Sequence, residues 1–143
     1  DAEGRLCLAD CLSYAEKFDA KSIIDIATLT GAADVITGMK AGVIYSNDAS
    51  MSNALLNAAE LTDDRLIQIP LWIEDFEEYL DSKVADCKNV ADENPAGTTI
   101  AAVFLSKFTK NKCWAHIDFA SNAYDEDAGA TGACVRLLVE HLK

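Results

Sequence analysis

Three short apolar runs constrain the fold of this chain more than any other feature. They occupy residues 22–27, 41–46 and 113–120, and runs of this length are typical of buried strands. Between and around them lie segments with helical periodicity. In segment 3–18, one face carries four apolar residues: Leu8, Cys11, Leu12 and Ala15. Strands that alternate with helices predict an α/β fold, with a layered central sheet and helices on both faces.

The remaining segments complete this alternation. Helical patterns occur at four further places: residues 51–61, 72–81, 98–108 and 132–142. Three polar residues stand at the start of such segments and are the predicted helix caps: Ser50, Thr98 and Thr131. The other stretches are interpreted as a connector and two loops: residues 65–70, 86–97 and 121–131.

The charge balance excludes some classes of partner. The chain has 12 Lys and Arg against 24 Asp and Glu, a formal net charge of −12. Such a field repels phosphate backbones, so we expect no nucleic-acid binding. It favours cations instead, either metal ions or substrates that carry an amine. No apolar run approaches the roughly 20 residues that a membrane span needs, so we expect no membrane partner.

The cysteines indicate a reducing compartment. There are five, an odd number, and none of them forms a Cys-x-x-Cys pair. This pattern does not match a disulfide scaffold or a zinc ribbon. It predicts free thiols, buried in the protein core, and a cytoplasmic location.

The densest cluster of reactive side chains is at residues 1–6, Asp-Ala-Glu-Gly-Arg-Leu. Two carboxylates and a guanidinium lie where a helix is predicted to begin. Hard divalent cations prefer carboxylate oxygens, and a two-metal site needs carboxylates that bridge ions about 3.5–4 Å apart. Taken alone, the cluster is a weak signal for metal binding, and acidic residues that complement the dipole of the first helical turn are the commoner explanation.

The same six residues match the signature of the leucyl aminopeptidase (cytosol aminopeptidase) family, and the rest of the chain resembles that family too. Residues 26–31 (Ile-Ala-Thr-Leu-Thr-Gly) resemble its Ala-Thr-Leu-Thr-Gly strand end. Residues 114–118 (Trp-Ala-His-Ile-Asp) also occur in the family order. By this resemblance, residues 1–143 are the carboxy-terminal portion of the family's catalytic domain, and the fold is part of that larger α/β domain.

The resemblance implies a set of roles for residues 1–5. Asp1 would ligate one metal ion, Glu3 would bridge two, and Arg5 would hold a bicarbonate ion that acts as the general base on the metal-bridging water. The implied cofactors are therefore bicarbonate and two divalent ions, manganese or zinc, with magnesium as a further candidate. A planar guanidinium suits bidentate binding of a planar oxyanion.

The resemblance also implies a peptide-binding cleft. Thr28, Leu29 and Gly31 would line it, at the carboxyl end of the strand at residues 22–27, where open α/β sheets place their ligands. Ala120 and Ala123 would form the pocket for the first side chain of the peptide, with room for a leucine-sized group.

Two further features lie close to this pocket. His116 and Asp118 fall on one face of a strand, and we interpret them as a hydrogen-bonded structural pair rather than as metal ligands. Family members usually have Ile-Ala-Gly after this motif, whereas this sequence has Phe119-Ala120-Ser121.

The implied function is hydrolysis of amino-terminal residues from peptides by a cytoplasmic metalloprotease, which assembles as a homo-oligomer, a hexamer by resemblance. The family's other metal ligands and its catalytic lysine lie upstream of the matched stretch, and the chain begins with Asp1. We therefore expect a fragment or processed product that is inactive alone. Two alternatives remain open: a truncated paralogue that only assembles or binds, and a different two-metal hydrolase on a similar scaffold.

Overall fold

A four-stranded mixed sheet organises the molecule. A computed structural model describes residues 2–93, 95–109 and 112–143. The four strands are β1 (Ser22–Ala27), β2 (Gly42–Ser46), β3 (Leu66–Gln68) and β4 (Cys113–Asp118). Their spatial order is β1-β4-β2-β3, with β1 parallel to β4, β2 antiparallel to β4, and β3 parallel to β2. The carboxyl ends of β1 and β4 therefore meet at the same end of the sheet.

Six α-helices accompany the sheet in the described part of the chain. They are α1 (Gly4–Ala15), α2 (Ala32–Thr37), α3 (Ala49–Thr62), α4 (Ile73–Phe76), α5 (Gly97–Ser106) and α6 (Val135–His141). Short 3₁₀ helices span Glu77–Leu80 and Ala120–Asn122, and β5 (Tyr124–Asp125) pairs with β6 (Gly129–Ala130) in a small hairpin.

The two faces of the sheet bury two separate hydrophobic cores. On one face, α1, α2 and α5 cover side chains such as Val43, Tyr45 and Trp114. On the other face, α3 and α6 cover Ile44 and Ile117. Alternate residues of a strand point to opposite faces, which explains why neighbouring residues of β2 and β4 belong to different cores. The α/β class and the helices on both faces are thus confirmed.

The strand at residues 22–27 is less buried than its apolar sequence predicts. It forms one edge of the four-stranded sheet, hydrogen-bonded to β4. Its apolar residues Ile23, Ile24 and Ile26 are only half-buried, and Asp25 is its one buried residue. An edge strand with apolar side chains presents backbone N–H and C=O groups that can pair with a further strand.

Several element predictions were wrong in detail. The segment interpreted as a connector contains β3, and the predicted loop at residues 121–131 contains the β5–β6 hairpin. Helix α2 was not predicted. The segment at residues 72–81 is helical but divides into α4 and a 3₁₀ turn. Strands of two or three residues and helices of less than two turns carry too few periods for a pattern to be recognised.

The three predicted caps were wrong as well. Asp48, not Ser50, caps α3, and its carboxylate accepts a hydrogen bond of 2.7 Å from the Met51 amide. Helix α5 begins at Gly97 without a side-chain cap, because Ala96 occupies the N-cap position. Thr98 is the second residue of the helix, and its hydroxyl bonds to Tyr45. Helix α6 begins three residues after Gly132, with Cys134 at the N-cap position in place of Thr131.

The cysteines are free, as predicted, but most of them are not buried. Their exposure differs widely: Cys7, Cys11 and Cys113 are exposed, Cys87 is half-buried and Cys134 is buried. Burial, together with the nearby Asp64 carboxylate, raises the pKa of Cys134 to about 12. No helix within the described ranges has both the length and the apolar character needed to cross a membrane.

Candidate active site

Asp118, the last residue of β4, is the centre of the polar contacts where β1 and β4 end. Its carboxylate is fully buried and accepts three hydrogen bonds. Oδ1 accepts from the Leu29 amide at 3.0 Å and from the Ala120 amide at 3.2 Å, and Oδ2 accepts from the Thr30 hydroxyl at 2.6 Å. One side chain therefore links the segment after β1 to the segment after β4.

Arg5 reaches the same end of the sheet from the first turn of α1. Its side chain is only 5% exposed, and Nη1 donates a hydrogen bond of 2.8 Å to the Asn89 carbonyl oxygen. The Asn89 side chain in turn donates to the Ala2 carbonyl oxygen at 2.7 Å. Burial lowers the pKa of Arg5, and the charge of Asp118 opposes this effect. The guanidinium thus lies close enough to Asp118 to experience its field.

A cavity of about 190 Å³ opens where these segments meet. Its lining comes from the start of α1, the turn into α2, the irregular segment before α5 and the first residue of α5: Ala2, Arg5, Thr30, Gly31, Ala32, Val90 and Gly97. The cavity combines one buried cation with small residues and exposed backbone. Such a lining can accept a small anionic group beside an extended chain.

The cavity brings together only some of the residues singled out from the sequence. Arg5 and Gly31 line it. Leu29 is buried behind its wall and Thr28 is exposed. Ala120 packs against the hydrophobic core that α1, α2 and α5 cover.

The other predicted residues lie outside the cavity lining. The carbonyl oxygen of Ala123 accepts a hydrogen bond from the Thr131 amide, so this residue anchors the β5–β6 hairpin. Ser121, which stands where the family usually has glycine, is buried and donates its hydroxyl hydrogen to the Ala41 carbonyl oxygen. The serine therefore ties this turn to the start of β2.

Of the two predicted metal ligands, the structure describes only Glu3. Asp1 lies outside the described residues. Glu3 is exposed at the N-cap position of α1, next to the cavity-lining residues Ala2 and Arg5. Within residues 2–93, 95–109 and 112–143 there is no group of three or more His, Cys, Asp or Glu side chains that could hold a metal ion. These residues alone therefore do not form a two-metal centre.

His116 and Asp118 lie on one face of β4, as predicted, but they do not act as a bonded pair. The His116 ring bonds through Nδ1 to Asp25 of β1, whose other oxygen accepts from the Trp114 indole at 2.6 Å. Asp118 bonds to the cavity wall instead. The partners differ because β1 places Asp25 opposite His116 and Ala27 opposite Asp118.

Two contributors to the site were missed from the sequence. Thr30 entered the sequence analysis only within the motif at residues 26–31, and Asn89 only within the loop predicted at residues 86–97, yet Thr30 lines the cavity and Asn89 holds Arg5. The position of Asp118 offered a signal for Thr30, since residues that follow adjacent parallel strands meet at one end of a sheet. Asn89 lies in an irregular segment, where spacing carries no such information.

Comparison with known proteins decides the family. The model of the cytosol aminopeptidase family, catalytic domain, matches residues 1–139. The chain belongs to the cytosol aminopeptidase family. The probable cytosol aminopeptidase of Saccharophagus degradans is 51% identical over 144 residues, which cover 99% of this chain. The proteins of the same name from Thioalkalivibrio sulfidiphilus and Geobacter sulfurreducens are 47% and 45% identical, over 99% and 100% of the chain.

These family members are much longer than this chain. It spans 28% of the S. degradans protein, 29% of the T. sulfidiphilus protein and 30% of the G. sulfurreducens protein. The cavity beside Arg5 and the open edge at β1 are therefore features of one part of a family catalytic domain.

Proposed function

We propose that this chain is the carboxy-terminal portion of the catalytic domain of a leucyl-type metallo-aminopeptidase, which hydrolyses amino-terminal residues from peptides. The observation that carries the proposal is the buried Arg5 in a cavity beside Thr30 and Gly31, in a chain that belongs to the cytosol aminopeptidase family. The rival hypothesis of a truncated, non-catalytic paralogue has no such observation in its favour.

The metal ions of this proposal require ligands beyond the described residues. Asp1 and Glu3 would each contribute a carboxylate, and the remaining ligands would come from the additional length that the relatives have. Two divalent ions, manganese or zinc with magnesium as a further candidate, lower the pKa of bound water and polarise the scissile carbonyl. The exposed position of Glu3 leaves its carboxylate accessible to such ions from outside this chain.

Arg5 would bind the bicarbonate base. The Arg5 guanidinium donates to the Asn89 carbonyl oxygen through Nη1, and its planar fork of N–H donors matches the geometry of a planar oxyanion. Burial strengthens that interaction, because the surrounding medium is less polar than water. Arg5 would therefore orient the anion so that its basic oxygen faces the water that it deprotonates.

The turn after β1 would receive the peptide. Gly31 has no side chain, and a Cβ built at this position would meet no atom within 4 Å. A substrate backbone can thus approach the turn at Thr30 and Gly31 closely. We further propose that the whole protein is a cytoplasmic homo-oligomer, a hexamer by family resemblance.

The test is an assay of leucine amide hydrolysis with added manganese or zinc. It compares this chain with a protein that contains it together with the remaining length of its relatives. We expect turnover by the longer protein and none by the chain alone. In the longer protein, Arg5→Ala should lower the rate by about 10²–10⁴-fold, the usual contribution of a general base, with metal content unchanged.

Arg65→Ala is the matched control, because Arg65 is an exposed arginine paired with the exposed Asp63. It should leave the rate unchanged. Loss of metal in Arg5→Ala would contradict the assigned role of Arg5. Absence of turnover in the longer, metal-loaded protein would contradict the aminopeptidase function itself.

A further inference from the structure

Asp118 joins two segments that are far apart in sequence. Leu29 and Thr30 are 89 and 88 residues away from it, and Ala120 is two residues away. All three bonds end on a carboxylate with no exposed surface. A charged acceptor forms shorter and stronger hydrogen bonds than a neutral one, so this arrangement holds both segments firmly.

The segment after β1 that Asp118 holds is a wall of the cavity. Thr30 uses its hydroxyl to bind Asp118, and it lines the cavity together with Gly31. Arg5, which also lines the cavity, experiences the charge of the same carboxylate. The position of the wall and the electrostatic field at the guanidinium thus depend on one side chain.

We propose that Asp118 is a positioning residue for this cavity, which sets the place of Leu29 and Thr30 relative to Arg5 through its three hydrogen bonds. The inference rests on the proposed aminopeptidase function for its kinetic consequence. Its structural content, the attachment of the cavity wall to the end of β4, is independent of that function.

Asp25 provides a matched comparison. It is also a buried carboxylate on the same face of the sheet, 9% exposed, and it accepts hydrogen bonds from buried partners. Those partners are the Trp114 and His116 side chains within the core, not the wall of the cavity. A residue with a merely structural role should behave like Asp25 when it is changed.

The kinetic test uses the longer, metal-loaded protein and four variants: Asp118→Asn, Thr30→Val, Thr30→Ser and Asp25→Asn. Asparagine retains the shape of Asp118 but not its charge. Its NH₂ group cannot accept from the Thr30 hydroxyl, so the charge-assisted bond is replaced at best by a weaker neutral bond in which the hydroxyl accepts. We expect Asp118→Asn to lower kcat/KM for leucine amide by about 10–100-fold, the scale of a small misplacement. Thr30→Val should lose about tenfold, as one charge-assisted bond is removed, and Thr30→Ser should recover most of that loss.

Asp25→Asn should lower the midpoint of thermal unfolding while leaving kcat and KM unchanged. The proposal is overturned if Asp118→Asn keeps the wild-type kcat/KM. It is also overturned if Asp25→Asn loses as much activity as Asp118→Asn. If Asp118→Asn does not fold, Thr30→Val and Thr30→Ser test the proposal instead. Equal losses of kcat/KM in these two variants would contradict a role for the hydrogen bond from the Thr30 hydroxyl.

Hydrogen exchange separates this inference from the proposed function. In Asp118→Asn and Asp118→Ala, the amides of Leu29 and Ala120 should exchange faster than in wild type, while Asp25→Asn leaves them protected. That result stands even if the wild-type protein hydrolyses no peptide, an outcome that would refute only the aminopeptidase function. Unchanged protection in Asp118→Ala would refute the attachment directly.

Discussion

Removal of the Tyr45 hydroxyl tests how the sheet is joined to α5. Tyr45 is completely buried on β2. Its hydroxyl lies 2.6 Å from Thr98 Oγ1 and 2.9 Å from Thr99 Oγ1, and both threonines are buried as well. Tyr45→Phe removes two hydrogen bonds and takes a partner from each threonine.

The expected cost can be estimated from these contacts. Each hydrogen bond contributes ~0.5–1.5 kcal/mol, and a buried hydroxyl without a partner costs ~1–3 kcal/mol. We therefore expect Tyr45→Phe to lower the free energy of unfolding by about 2–4 kcal/mol. Equilibrium urea unfolding measures this value, with an unchanged m-value as the check that only stability has changed.

A double-mutant cycle with Thr98→Val isolates the contact. In the Tyr45→Phe background, Thr98→Val replaces a hydroxyl that has already lost a partner, so it should cost at least ~1 kcal/mol less than in wild type. Two effects that add within ~0.5 kcal/mol would refute the reasoning, because independent sites behave that way.

The difference in stability between wild type and Tyr45→Phe should also depend on pH. Burial is the main cause that raises the pKa of Tyr45, and the nearby Asp118 charge adds to it, while the hydrogen bonds from Thr98 and Thr99 act in the opposite direction. An unfolded tyrosine ionises near pH ~10. Above that pH the unfolded chain loses a proton that the folded protein keeps, so rising pH favours unfolding. The stability advantage of wild type over Tyr45→Phe should shrink as pH rises beyond about 10, and an advantage that grows would contradict the assigned direction.

Three further changes test the core, a helix cap and a thiol. Leu137→Ala should lower the free energy of unfolding by about 2–5 kcal/mol, because Leu137 is fully buried where α6 covers the sheet. Val139 is exposed on the same helix, so Val139→Ala should lower it by less than ~0.5 kcal/mol. Asp48→Ala should cost ~1 kcal/mol in urea unfolding through the lost bond to the Met51 amide, and an equal cost for Ser50→Ala would contradict the observed cap. In the folded protein at neutral pH, Cys134 should resist alkylation by iodoacetamide, since it is buried and its pKa is raised to about 12; mass spectrometry should find the label on the exposed thiols, Cys7, Cys11 and Cys113.

The fold class followed from the sequence because the signals that carry it are local. An apolar run such as residues 113–118 and a periodic segment such as residues 98–106 each reveal their own conformation. The family could be recognised for a related reason, since residues 1–6 and 26–31 keep their chemistry in a fixed order along the chain. Free cysteines were also predictable from their number and spacing.

Short elements and caps required the tertiary structure. β3 has three residues, and it is a strand only because β2 supplies its hydrogen-bond partners. Thr98 is a residue type that often caps helices, but it lies inside α5, one residue after Gly97, and its hydroxyl bonds to the buried Tyr45 hydroxyl. Such competition between local and distant partners is invisible to a pattern that considers neighbours in sequence alone.

The candidate active site was also predictable only in part from the sequence. From the sequence alone, the glutamate and arginine near the start of α1 and the turn after β1 were recognisable as candidates for chemistry. Only the tertiary structure decided that Arg5 and Thr30 line one cavity, and that Asp118 holds Thr30 across a separation of 88 residues. The physical reason is the strand register. Pairing of β1 with β4 places Asp118 beside Ala27, one step before the turn, and a shift by one residue would turn its carboxylate to the opposite face of the sheet.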